Sequence, residues 1–145
     1  MKIYQAMKAK KKLITEIDQL KSKVRDNNSF PVGKKVNYDA KVMLEQLMAK
    51  SLDLVKLKSQ IMKATMPIYP KLHAMSEMKS MASFLKGVPH QEGLISQHSF
   101  RGEVTPQEYK CVMNEVELSK MVTEMENSLE ATQEEIDGFN HTTDI

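Results

Sequence analysis

The stretch LSKMVTEMENSLEATQEEIDGF, residues 118–139, decides the fold. Leu118, Val122, Met125, Leu129, Thr132, Ile136 and Phe139 follow one another in unbroken steps of four and three, which puts all seven on one stripe of a helix. Glu117, Lys120, Glu126 and Glu130 belong to its solvated face. Upstream, Thr105-Pro106-Gln107-Glu108 offers a threonine cap, a proline at the first helical position and a following glutamate. That pattern predicts a capping box and a helix over about 106–138. Gly138 and Asn140 supply its stop signal.

Working outward, the opening segment has the same period. Ile3, Ala6, Leu13, Ile17, Leu20 and Val24 form a seam interrupted only by Lys10, and Met7 and Ile14 widen it, predicting a helix over 2–26. Asn27-Asn28-Ser29, Pro31 and Gly33 end it. Residues 32–38 read as extended. Asp39 caps a second helix over 39–65 with two apolar lines, one of Leu44, Leu47, Leu54 and Ile61, the other of Met48, Leu52, Val55 and Met62. Two lines call for at least two neighbouring helices. Pro67 and Pro70 force a stop or kink, with Thr65 as cap for the restart. A third helix over 68–86 then carries Leu72, Met75, Met78, Ala82 and Leu85, and Gly87 and Pro89 close it.

Residues 88–104 hold two glycines and no helical period, and they exceed the usual connection between helices. Leu94 to Phe100 reads as a short strand, with residues 32–38 as its pairing candidate. The fold class that results is all-α: one helical domain of long coiled-coil-like helices in a bundle, with one polar loop or small hairpin insert. Helices over 106–138 and 39–86 would be roughly 50 and 70 Å long. A compact chain of this length has a radius of gyration of only ~15 Å, so a homo-oligomer is expected to cover the seams.

The 145 residues are 28% charged and only 6% aromatic, enough chain for one core but not two. Cys111 is the single cysteine, which excludes an internal disulfide and a thiolate zinc site and fits a cytoplasmic setting, the bacterial host's if the gene is phage-borne. No apolar run approaches the ~20 residues that span a bilayer, and the N-terminal segment lacks the apolar core of a signal peptide. Phosphate loops, HExxH, G-x-S-x-G and paired cysteines are missing, so an enzyme is not expected, nor a cofactor or metal. His90, Glu92 and His98 are the one cluster with metal or acid–base character, against a plain reading as loop polarity. His73 reads as a packing residue. Cys111, placed one turn into the last helix near Glu108 and Glu115, should be a poor nucleophile, because acidic neighbours disfavour the thiolate.

Charge is divided along the chain. Residues 1–38 carry ten Lys or Arg against three acids, and residues 106–145 carry two against ten. A basic front and an acidic tail pair most cheaply with each other, within the chain or between copies. The run Lys8-Ala9-Lys10-Lys11-Lys12 is the strongest basic feature. It has no aromatic residue interleaved to stack bases, so nucleic-acid binding ranks third among the readings.

Lys34, Lys35, Tyr38, His90, His98 and Arg101 lie in or beside the two irregular regions. If those loops meet, within a subunit or across a seam, they form a polar pocket for a small phosphate-bearing ligand, with Arg as a bidentate fork and Tyr or His to stack on a base. The plainer reading is solvated loop polarity. Met75, Met78 and Met81 read as seam residues.

The opening helix, Lys58-Ser-Gln-Ile-Met-Lys-Ala-Thr65 and the ending Glu135-Ile-Asp-Gly-Phe-Asn-His-Thr-Thr-Asp-Ile145 resemble a family of small helical proteins of bacteria and their phages, once labelled septicolysin-like. The likeness runs over most of the chain. Its pattern ends in Asn-aromatic-Thr-Thr-acid-aliphatic, and His141 departs from it, which argues against a packing role at that position. The resemblance implies an all-helical oligomer and brings no catalytic residues. Its old label suggests a pore-forming toxin, which no segment here supports. Two functions are therefore expected: a phage-borne sponge sequestering a nucleotide-type signal between subunits, or a structural or adaptor coiled coil without a ligand.

Overall fold

The computed structural model describes residues 1–145. It is mostly helical, 69% of residues, with one small antiparallel two-stranded sheet, which agrees with the expected helical protein carrying a small hairpin insert. The elements are α1 (Ile3–Asn27), α2 (Ala40–Thr65), a 3-10 turn (Met66–Ile68), α3 (Tyr69–Lys86), β1 (Gly93–His98), β2 (Val104–Tyr109) and α4 (Glu115–Thr142). They divide into two compact units, residues 1–69 with 137–145, and residues 70–136.

In the first unit α1 buries its predicted seam. Ile3, Ala6, Ile17 and Leu20 are buried, and Leu13 and Val24 half-buried. Its neighbour is α2, to which it is tied by the Lys50–Glu16 ion pair at 2.6 Å. That hydrogen bond and the Lys50 charge hold the Glu16 carboxyl below its ordinary range. Asp39 caps α2 as expected, its carboxylate accepting from the Lys41 and Val42 amides. The first apolar line of α2 is covered except at its start: Leu47, Leu54 and Ile61 are half-buried or buried, whereas Leu44 and the whole second line stay exposed. Thr65 stands at the cap position of the restart with Pro67 in the following turn, as expected, but its side chain makes no cap bond. Its buried hydroxyl donates to the Ile61 carbonyl at 2.8 Å, and the 3-10 turn takes up Pro67 without interrupting the chain's helical path.

The two chain ends are clasped together. Ile3 N–H donates to the Thr143 carbonyl at 3.0 Å and Ile145 N–H to the Met1 carbonyl at 2.9 Å, forming a bridge between Lys2 and Asp144. Lys2 Nζ reaches the Thr142 carbonyl at 2.8 Å and Asp144 Oδ2 at 2.7 Å. The His141 ring lies 4.3 Å from the Tyr4 ring, centroid to centroid, so position 141 does pack, contrary to the sequence expectation. A histidine ring is flat and wide enough to do an aromatic residue's work there. Docking of this tail also explains why α4 passes through Gly138 and ends at Thr142 rather than at 138. The terminal bonds outweigh the ~1 kcal/mol that a helical glycine costs. The Lys2 hydrogen bond, then the Lys2 and N-terminal charges, lower the Asp144 pKa from its ordinary 3.8. A lowered acid favours the folded form above its unfolded pKa, so the clasp is complete at neutral pH and weakens as acid protonates Asp144.

In the second unit α3 and α4 are joined by Lys71–Glu135 and by Lys86–Glu126 at 2.6 Å, a pattern that runs the helices antiparallel. The acidic face of α4 thus finds cations on the middle of the chain. Every residue of the seam 118–139 is buried or half-buried, as its spacing requires, and on α3 so are Met75, Met78, Ala82 and Leu85. The start of α4 differs from the sequence expectation of 106. Thr105, Pro106, Gln107 and Glu108 belong to β2, and the helix begins at Glu115 behind Asn114, whose side chain accepts from the Glu117 amide at 2.9 Å. β1 pairs with β2, from Gly93 opposite Tyr109 to His98 opposite Val104, and residues 32–38 form no strand.

Candidate functional site

The six residues singled out from the sequence fall three to each unit. Lys34, Lys35 and Tyr38 stand in the α1–α2 connection. Lys34 and Lys35 line a cleft of about 240 Å³ with Asp26, Ser29 and Pro31. Tyr38 lines an adjoining cleft of about 530 Å³ with Asn28 and Lys41, and Asn27, Phe30, Val36 and Asn37 are common to both. A turn bond from Lys34 N–H to the Pro31 carbonyl, 3.1 Å, shapes the loop, with Gly33 at φ +85°, a conformation that suits glycine. Lys23 Nζ sits 4.6 Å from the centre of the Tyr38 ring, a cation–π contact that holds the ring toward α1. Two ammonium groups therefore border one cleft and the Tyr38 ring the other, with the Phe30 ring lining both. The anion-binding capacity of the α2 N-terminus is already taken by Asp39.

His90, His98 and Arg101 belong to the hairpin unit. His90 Nδ1 lies 3.1 Å from the Val88 carbonyl, His98 ends β1, and Arg101 is exposed in the turn. Glu92, read with the two histidines as a metal candidate, instead accepts the Cys111 thiol at 3.0 Å. Cys111 stands in the connection from β2 to α4, not inside the helix, so its acidic neighbours are Glu92 and Glu117 rather than Glu108 and Glu115. The Glu92 hydrogen bond, then desolvation and the two carboxylate charges, push the thiol up to about 11 from 9.0. A thiol near 11 leaves ~100-fold less thiolate at pH 8, partly offset by the higher nucleophilicity of a more basic thiolate, so alkylation at that pH should run about tenfold slower than for a free thiol. Glu92→Gln should recover most of that rate in an iodoacetamide time course. Equal rates in the two proteins would show that the Glu92 contact does not form in solution.

The most extensive unpaired feature is on α2. Leu44, Met48, Leu52, Val55 and Met62 are 43%, 62%, 64%, 64% and 53% exposed. At 100° per residue they share an arc of about 80°. Beside them a cleft of about 410 Å³ is walled by Leu47, Met48, Ser51, Leu52, Val55 and the Lys21 stem. Sequence reasoning saw both apolar lines of α2 but could not say which one the chain itself covers. The terminal clasp was missed, since nothing in the spacing of residues 1–6 and 140–145 announces their pairing. No helix is long and apolar enough to cross a membrane.

Comparison with family models, curated proteins and solved structures finds no match for the chain.

Proposed function

We propose that this is a non-enzymatic helical assembly protein, whose copies join along the exposed line of α2. One observation carries the reading: five large apolar side chains, each over 40% exposed, share one narrow face of a 26-residue helix. A stripe of this kind, broken only at Ser59, is the mark of an interaction surface, unlike scattered surface apolar residues. A second copy is the favoured occupant. Steps of four and three are those of a helix–helix seam, a helix can meet its own twin about a twofold axis, and Met48 and Met62 adapt to a neighbour's shape. The opposite charges of residues 1–38 and 106–145 add attraction between copies. On the tail that carries it, the septicolysin-like resemblance agrees with an oligomer, and the lone cysteine with a reducing compartment.

A second reading has its own observation. The two adjoining clefts of the α1–α2 connection, one lined by Lys34 and Lys35, the other by Tyr38, with Phe30 in both, have the chemistry to hold a phosphate-bearing small molecule, the sponge function. Native mass spectrometry with a panel of cyclic and linear nucleotides separates the two. Capture predicts whole added ligand masses on the oligomer, lost by about tenfold in affinity in Lys35→Ala with assembly intact. An oligomer that stays bare across the panel removes the sponge reading and leaves assembly standing. Nucleic-acid binding through Lys10 to Lys12, steeply salt-dependent, would displace both.

A further inference from the structure

The hairpin of the second unit has two edges, and they are not equivalent. Ser99 N–H donates to the Glu103 carbonyl at 2.9 Å and Gly102 N–H to the Ser99 carbonyl at 3.0 Å, with Gly102 at φ +77°. This is a three-residue turn closed by a glycine bulge, and it sets the phase of the ladder. Bonded and non-bonded pairs alternate in an antiparallel ladder. With Ser99 and Glu103 bonded and the register from His98–Val104 to Gly93–Tyr109, the bonded pairs are Gln97–Thr105, Ile95–Gln107 and Gly93–Tyr109. The residues between them turn their backbone groups away from the partner strand. On β2 those are Val104, Pro106 and Glu108; on β1 they are Leu94, Ser96 and His98.

The consequence is an asymmetry of edges. Pro106 sits where the central donor of the β2 edge would be and has no N–H to give, and Glu108 adds a charge beside it. Both are recognised protections of a sheet edge. It also explains how a strand tolerates Pro106, since the missing donor points outward. The β1 edge keeps all three donors and acceptors, and Gly93–His98 contains no Lys, Arg, Asp or Glu. Leu94, 77% exposed, and Val104, 53% exposed, share the face that carries these edge residues.

We infer that the free edge of β1 is a second self-association surface, pairing antiparallel with β1 of another copy to make a four-stranded sheet β2-β1-β1-β2. The fitting occupant is a second copy because the edge is its own complement. About a twofold axis through Ser96, the Ser96 residues face each other and Leu94 of each copy faces His98 of the other. Leu94, Ser96 and His98 of both strands then donate and accept in turn, and no like charges meet. A lone two-stranded hairpin is marginal in water, whereas four strands are not. The Pro106 edge stops growth there, so the sheet itself ends at four strands.

This surface is independent of the α2 seam, and the test reads it alone. Ser96→Lys and Ser96→Glu are made in the full chain, and each is studied by native mass spectrometry and sedimentation, separately and mixed. Because position 96 faces itself across the axis, each variant alone should weaken this contact at least tenfold, and an equimolar mixture should restore it as a one-to-one complex. Hydrogen exchange gives a second readout, with the Ser96 amide protected in concentrated wild-type protein and exposed on dilution. Wild-type masses in both single variants, a mixture that recovers nothing, or a Ser96 amide that exchanges freely at all concentrations would each overturn the inference. Leu52→Glu reports on the other surface, so loss of one contact is distinguishable from loss of the other.

Discussion

Leu52→Glu is expected to dissolve the α2-mediated contact while leaving the helical content of each chain unchanged. Leu52 is 64% exposed in the single chain, so a carboxylate there meets water and costs the isolated fold little. In the assembly the same position lies mid-stripe. Burying a leucine contributes about 1.5–3 kcal/mol, and a symmetric seam loses it twice, before the cost of desolvating two carboxylates. About 3 kcal/mol already weakens association by more than ~100-fold. Sedimentation velocity over a concentration series measures the loss, and far-UV circular dichroism checks the fold. Leu52→Met should preserve the assembly. An unchanged mass for Leu52→Glu would mean that the stripe is not the seam.

Ile3→Ala should cause the largest loss of stability of any single truncation near the termini. Ile3 and Ala6 have no exposed surface, and the Ile3 amide carries the bond to Thr143. Removing three buried carbon atoms from a site clamped on both sides leaves a cavity that cannot collapse easily. A cost of about 3 kcal/mol follows from comparable core truncations, lowering the melting temperature by roughly 10 °C in a chain of this size. Asp144→Ala, which removes only an exposed ion pair, should shift the melting temperature far less. Thermal melts compare the two. A shift for Ile3→Ala no larger than that for Asp144→Ala would show that the clasp is electrostatic, not apolar.

How much of this was legible in the sequence depended on how far along the chain the cause of each feature lay. The α4 seam from Leu118 to Phe139 was legible in full, because helical period and burial are the same statement about one segment. Asp39 was legible because a cap acts on amides two and three residues away. Thr105-Pro106-Gln107-Glu108 misled because its residues suit a helix start and a strand alike, and pairing with Gln97 and Ile95 decided between them. A quieter signal was present in Asn114-Glu115-Val116-Glu117, a cap with a glutamate three residues on. The end of α4 followed Thr142 rather than Gly138 because its bonding partners are Lys2 and Ile3, at the other end of the chain. The candidate ligand residues could be chosen by chemical type, but the partners of two loops are set by packing that no local pattern records. On α2 the apolar lines were plain, and only the structure separates the line that α1 covers from the line left for a neighbour.

Sedimentation equilibrium of the unmodified 145-residue chain, from low micromolar upward, tests the central claim most directly. The account predicts a defined oligomer whose mass is a whole multiple of 16.6 kDa and holds its value across the range. A single species at 16.6 kDa throughout would contradict it, leaving the α2 stripe exposed to water without a partner of its own kind.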